Sequence, residues 1–149
     1  MRKSISYNRK AKHDYFLEDH FDAGIVLFGT EIKAIRKGSA QIKDAYVNIE
    51  NGEAFIEEMY IGHYEQGNRF NHEERRPRKL LMHKHEIRLL AQKVKLKGYT
   101  IVPLDLYLDK GMAKLEIALA KGKDLYDKRQ SLKSKDAQRE IAKSLKNYY

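Results

Sequence analysis

The chain has no cysteine and no tryptophan, only two prolines, and no apolar run approaching the length of a membrane span. Without thiols, disulfides, thiolate zinc sites and cysteine nucleophiles are excluded. A transmembrane helix needs about 18 or more apolar residues, and no stretch comes near that. Met1-Arg2-Lys3-Ser4 leads into no hydrophobic segment of signal type. A cytoplasmic protein without membrane attachment is therefore expected. Motifs for chemistry are missing as well. There is no G-x-G-x-x-G, no Walker sequence, no G-x-S-x-G and no H-E-x-x-H, so the common nucleotide, acyl-transfer and zinc-protease signatures are absent.

What is present is charge, unevenly placed. The 149 residues carry a net charge of +9. Residues 1–12 hold five basic side chains and no acid, and residues 121–149 hold nine against four. Between them, 16 basic residues meet 17 acidic ones. Two cationic ends on a nearly neutral body suit a polyanion, because each neutralised phosphate releases counterions. Ten tyrosines and five phenylalanines add flat faces, most of them for the core and some able to stack on bases.

The body reads as short strands and two helices. Residues 13–28 resolve into two strands, with Tyr15, Leu17 and Phe21 at even spacing, a turn at Asp22-Ala23-Gly24, and apolar Ile25–Phe28. Thr30 is placed to cap a short helix, with Glu31 in its first turn and Gly38 as its left-handed stop. Ala45–Glu50 and Glu53–Tyr60 flank Asn51-Gly52, the pair a type I′ hairpin turn requires. Gly62–Pro77, leading to Arg75, Arg76 and Arg78, reads as a long loop of the functional or mobile kind. A helix is predicted from about His83 to Lys97, with Ile87, Leu90, Ala91 and Val94 on one face and Gly98 ending it. Tyr99–Leu108 and Met112–Ala120 form a final pair across Asp109-Lys110-Gly111, and Pro103 marks an edge or a bulge. The order predicts a mainly β fold with α elements, about six strands and two or three helices. A small barrel of oligonucleotide-binding (OB-fold-like) type fits, as does an α+β sandwich. The domain reading is a basic arm at 1–12, the barrel at 13–120 and a basic tail at 121–149.

The tail is patterned although it is poor in large apolar side chains. Ala137, Ile141, Leu145 and Tyr148 recur at helical spacing, and Lys135, Arg139, Lys143 and Lys146 repeat it two residues earlier. At about 100° per residue the two stripes fall on opposite helix faces. Such a segment cannot bury enough area to offset its own ordering entropy. It is expected to be disordered when free and helical in a phosphate-lined groove. Docking on its own body through Ile141 and Leu145 is the alternative.

A search for catalytic groups finds little. His83-Lys84-His85-Glu86 looks like a ligand run, but alternate positions at a helix start diverge and spacing places no third ligand, so neither metal nor cofactor is expected. Adjacent Glu57-Glu58 and Glu73-Glu74 do not bring two carboxylates onto one substrate. A nuclease using His13 or His85 with a lysine has the residue types without a motif.

Several blocks taken together resemble one family. Asn8-Arg-Lys-Ala-Lys-His-Asp-Tyr15, Asp22-Ala-Gly-Ile25, Gly29-Thr-Glu-Ile-Lys33 and Arg36-Lys-Gly38 are similar to the SsrA-binding proteins (small protein B). So are Asn51-Gly-Glu53, Asn71-His72, Arg78-Lys-Leu-Leu81 with His83-Lys84, Gly98-Tyr-Thr-Ile-Val-Pro-Leu104, Lys121-Gly-Lys123 and Asp127-Lys-Arg129. The blocks run in order over nearly the whole chain. The resemblance implies an OB-like barrel that grips the tRNA-like domain of transfer-messenger RNA. It implies delivery of that RNA, with elongation factor Tu as an indirect partner, to ribosomes stalled on messages lacking a stop codon. It also implies a monomer whose tail becomes helical in the vacant mRNA channel.

Carried over by position, the RNA-binding candidates are Asn8, Lys10, Lys12, His13, Asp22, Leu81 and Lys114. Lys114 offers a cation to phosphate. Leu81 packs on a sugar or base, or else belongs to the core. Asp22 accepts from a base edge or fixes its own turn. The ribosome-facing candidates are Gly122, Lys123, Tyr126, Asp127, Lys128, Arg129, Lys133, Lys135 and Arg139. Tyr126 is suited to stack on a decoding-centre base, and Asp127 to cap a helix. Asp22 replaces a usual Glu, Glu116 falls where basic or apolar residues are usual, and Glu74 stands where Pro is common. A constitutive ribosomal protein with basic extensions is the competing reading from another class.

Overall fold

The structure, a computed structural model, describes residues 2–65 and 71–123. The elements in chain order are β1 (Arg2–Tyr7), α1 (Ala11–Asp14), β2 (Tyr15–Ile25), α2 (Gly29–Arg36), β3 (Ala40–Gln41), β4 (Tyr46–Glu50) and β5 (Glu53–Glu57). They continue as β6 (Tyr60–Ile61), β7 (Arg78–Leu81), α3 (Lys84–Lys93), β8 (Tyr99–Asp109) and β9 (Met112–Gly122). Seven strands form one antiparallel sheet in the order β1-β8-β9-β2-β7-β5-β4, and β3 with β6 makes a separate ribbon. The chain is thus mainly β with a few helices. The sheet order is open: among the described residues no ladder joins β1 to β4.

Local chemistry explains the hairpins. Asn51 and Gly52 adopt φ of 53° and 76°, and Lys110 and Gly111 adopt 52° and 79°, the left-handed pairs that match strand twist. Pro103 lies where the β8–β9 register shifts, between Pro103 and Asp105; it sits at a bulge, since β8 has neighbours on both sides. The inner face of the sheet carries Ile56, Leu80, Ile101, Leu106, Leu115, Ile117 and Leu119. Ala34 and Ile35 of α2 and Ile87 and Leu90 of α3 close over it. A second small cluster of Ala11, Val102, Leu104, Ala118 and Ala120 forms where α1 covers one end of the outer face.

Five expectations change. Residues 2–7 are no loose arm but an edge strand on β8. Its alternation is hidden by the charges, yet Ile5 packs on the core and the Ser6 hydroxyl accepts from the Ile42 amide at 3.1 Å. Asp22-Ala23-Gly24 is not a turn, because β2 runs straight through to Ile25. Gly24 is there for close approach: a Cβ would lie 3.3 Å from Leu81 Cβ. Thr30 does not cap α2, whose N-cap is Phe28; its hydroxyl instead bonds His72 Nδ1 at 2.9 Å while His72 Nε2 donates to the Ile61 carbonyl. The helix predicted to Lys97 stops at Lys93. Finally, Arg78 opens strand β7 rather than closing a loop.

Arg78 is completely buried, which demands explanation. Its Nε donates to Glu31, also fully buried, and its terminal nitrogens donate to the carbonyls of Met59, Glu73 and Glu74. Arg76 adds two further donations to the same carboxylate, and the Phe28 amide donates to Glu31 Oε1 at 2.8 Å. Burial pushes Glu31 towards protonation, but the donors from Arg76, Phe28 and Arg78 outweigh it and hold its pKa below the ordinary 4.5. Arg76 and Arg78 are thus committed to pinning α2 against β7.

Candidate nucleic-acid interface

The strand pairings bring three of the candidate residues together. Gly24 pairs with Leu81 on one side and with Lys114 on the other, and Lys114 pairs with Tyr107. The row Leu81–Gly24–Lys114–Tyr107 therefore crosses β7, β2, β9 and β8 on the outer face. Leu81 is 55 % exposed, which removes the core reading and leaves an apolar side chain facing solvent. Lys114 Nζ lies 3.8 Å from Asp109 Oδ2. Asp22, two residues before Gly24, pairs with Glu116, which pairs in turn with Asp105.

Behind this row lies a polar network. Arg2 donates to Asp105 at 2.8 Å and to Glu116 at 2.6 Å, and its guanidinium lies 3.7 Å from the centre of the Tyr107 ring. The Tyr107 hydroxyl donates to Asp22 Oδ1 at 2.7 Å. Ser4 donates to the other oxygen of Asp105, and His20 Nδ1 lies 3.1 Å from Glu116 Oε2. Burial, and then the Asp22 carboxylate, push the Tyr107 phenol up to about 12. Burial raises Glu116 too, but the bonds to Arg2 and His20 prevail and its pKa falls below the usual carboxylate value. Sequence reasoning missed Tyr107, His20 and the engagement of Arg2. One signal was available: Asp105 interrupts the apolar run of β8, and a buried carboxylate requires a partner.

The remaining described candidates gather at the opposite end of β2 and β9, where Tyr15 pairs with Gly122. From Lys114 to Gly122 the strand covers about 26 Å. Lys123 Nζ donates to the Lys12 carbonyl at 2.8 Å and stands 5.1 Å from the Phe16 ring centre. Lys10, Lys12 and His13 are exposed on α1 and its approach. Asn8 has a structural task, since its amide donates to the Pro103 carbonyl at 2.9 Å. Beside it opens a cavity of about 430 Å³ with Tyr7, Arg9, Lys10, Tyr15 and Lys43 in its wall. Tyr126, Asp127, Lys128, Arg129, Lys133, Lys135 and Arg139 lie outside the described residues.

Among the described residues no cluster of His, Asp or Glu has metal-site geometry; the His83 and His85 rings stack on one another instead, 5.6 Å apart. No described helix is long and apolar enough to cross a membrane. The family model described as SmpB protein matches residues 5–147. The chain belongs to the SmpB family. The SsrA-binding protein of Moorella thermoacetica is 56 % identical over 97 % of this chain and 94 % of its own length. That of Carboxydothermus hydrogenoformans is 54 % identical with both chains fully covered. Among solved structures, a chain from work described as "tmRNA-SmpB: a journey to the center of the bacterial ribosome" superposes with a TM-score of 0.68. It shares 41 % identity, with 93 % of this chain and 94 % of that one covered. The Leu81–Gly24–Lys114 row and the α1 cluster both lie within the span matched by the SmpB model.

Proposed function

We propose that this SmpB-family chain is a cytoplasmic RNA-binding factor without catalytic activity. It binds transfer-messenger RNA through the tRNA-like domain and delivers it to stalled ribosomes for trans-translation, so that incomplete proteins are tagged and the ribosome is freed. The observation that carries this reading is the row Leu81–Gly24–Lys114 on a continuous sheet face, with Leu81 exposed and Gly24 and Lys114 half-buried. It sets an apolar contact, a flat backbone approach and a cation side by side. A duplex or elbow of folded RNA presents sugars and phosphates at such a spacing, so recognition is by shape rather than base sequence. The sheet acts in the manner of an oligonucleotide-binding barrel, with α1, Lys10, Lys12, His13 and Lys123 extending the cationic surface about 26 Å along β9. The segment from Tyr126 to Arg129, with Lys133, Lys135 and Arg139 beyond it, serves the ribosome, coiling in the mRNA channel only when no message occupies it.

The test is binding of labelled tRNA-like RNA across a salt series. The unaltered chain retards the RNA intact, and affinity falls steeply with salt. In Lys114→Ala the affinity drops several-fold and the slope of log K against log salt decreases by about one. An unchanged slope removes Lys114 as a phosphate ligand, and cleavage of the RNA contradicts the non-enzymatic reading.

A further inference from the structure

Asp22 is out of place on a face meant for a polyanion. A carboxylate repels phosphate and can only accept hydrogen bonds, so it is useful there only towards a donor on a nucleobase or a ribose hydroxyl. Its surroundings fit that task. Oδ1 accepts from the Tyr107 hydroxyl at 2.7 Å. No hydrogen bond within the described residues reaches the other oxygen, and the side chain is 58 % exposed. Arg2 gives Asp22 only the longest of its three ionic contacts. The guanidinium gives its short contacts to Asp105 and Glu116, at 2.8 and 2.6 Å, and stands 3.9 Å from Asp22. What Arg2 does is stand over the Tyr107 ring, 3.7 Å from its centre, and the tyrosine is almost wholly buried. A short side chain such as aspartate then keeps one orientation.

We infer that Tyr107, covered by Arg2, is a positioning residue that clamps one oxygen of Asp22 so that the other meets a base or ribose donor of the bound RNA. The inference rests on the proposed RNA-binding function and deepens it. It also changes the role of the first basic residue of the chain. Arg2 is read from sequence as part of a phosphate-seeking arm, and the geometry assigns it to an internal network that orders the interface.

The test is a double-mutant cycle read as affinity for the tRNA-like RNA. Tyr107→Phe keeps the ring and removes only the hydroxyl, and Asp22→Asn removes the charge. Tyr107→Phe is expected to weaken binding about tenfold, as for loss of a hydrogen bond to a charged group, and Asp22→Asn to weaken it at least as much. In the Asp22→Asn background, Tyr107→Phe is expected to add less than about a twofold change, because the two side chains act as one unit. Equal losses in both backgrounds, or no loss from either single change, would overturn the assignment. Arg2→Gln is the second variant. It weakens binding without changing the salt slope, and a slope lowered by about one would make Arg2 a phosphate ligand and refute its positioning role. Failure of the unaltered chain to bind the RNA refutes the proposed function itself, and is distinguishable from all of these.

Discussion

Deleting residues 130–149 is expected to leave affinity for the tRNA-like RNA within about twofold while reducing tagging on stalled ribosomes at least about 100-fold. The first half follows from position. The Leu81–Gly24–Lys114 row, the Tyr107–Asp22 pair and the α1 cluster all precede residue 124. The second half follows from the pattern of the tail. Lys135, Arg139, Lys143 and Lys146 form one stripe, and Ala137, Ile141, Leu145 and Tyr148 form the opposite one. If the segment coils as proposed, these four cations would share one face over about 16 Å, a spacing suited to a groove lined by phosphates. Loss of about 3 kcal/mol of such contact is a factor of roughly 100. On the proposed function a message and this segment would compete for one groove, so that the free energy of coiling would report whether the groove is empty. Ribosome tagging assays with the truncated chain, run beside RNA retardation, check both halves. Undiminished tagging would show that the tail carries no such signal.

Glu31→Ala is expected to be the most destabilising single change in the folded body. It removes the carboxylate hydrogen-bonded to the fully buried Arg78 and also strips Arg76 and the Phe28 amide of their acceptor. Removing one partner of a buried ion pair costs about 3–5 kcal/mol, a large share of a domain's total of roughly 5–15 kcal/mol. For a chain of this size the thermal midpoint is expected to fall by about 10–20 °C. The double change Glu31→Leu with Arg78→Met should recover part of that loss, since no fully buried charge is then left unpaired. The pH dependence has a definite sign. Glu31 titrates below 4.5 in the folded chain, so its stabilisation is complete above that value and is lost as pH falls through the folded pKa. Glu116 contributes in the same direction. Calorimetry from pH 7 to 3 should show a steep acid loss in the unaltered chain and a shallower one in Glu31→Gln. A midpoint unmoved by Glu31→Ala would contradict the role given to the pair.

The parts legible in the sequence were those fixed by local chemistry. Asn51-Gly52, Gly38 and the apolar repeat of α3 each state a turn, a stop or a buried face through a few neighbouring residues. The family blocks pointed to Asp22, Leu81 and Lys114, which strand pairing sets near one another, although Leu81 alone would pass for core. What escaped depends on partners far away along the chain. β1 is a strand because β8 accepts it about 100 residues later, and its charges conceal the alternation. Arg78 belongs inside because Glu31, 47 residues earlier, meets it there. The contact of Tyr107 with Asp22 became visible only once β9 joined β8 to β2. No propensity or spacing rule encodes such pairings.

The central claim is that RNA lies on the outer face of β7, β2 and β9, and the absence of cysteine permits a direct measurement. Lys79→Cys, Leu81→Cys and, on the exposed side of α3, Gln92→Cys each create a single attachment point for a photoreactive aryl azide. With the labelled tRNA-like RNA bound and irradiated, cross-links are expected from positions 79 and 81 and not from 92. Cross-linking from position 92 with silence at 79 and 81 would contradict the account.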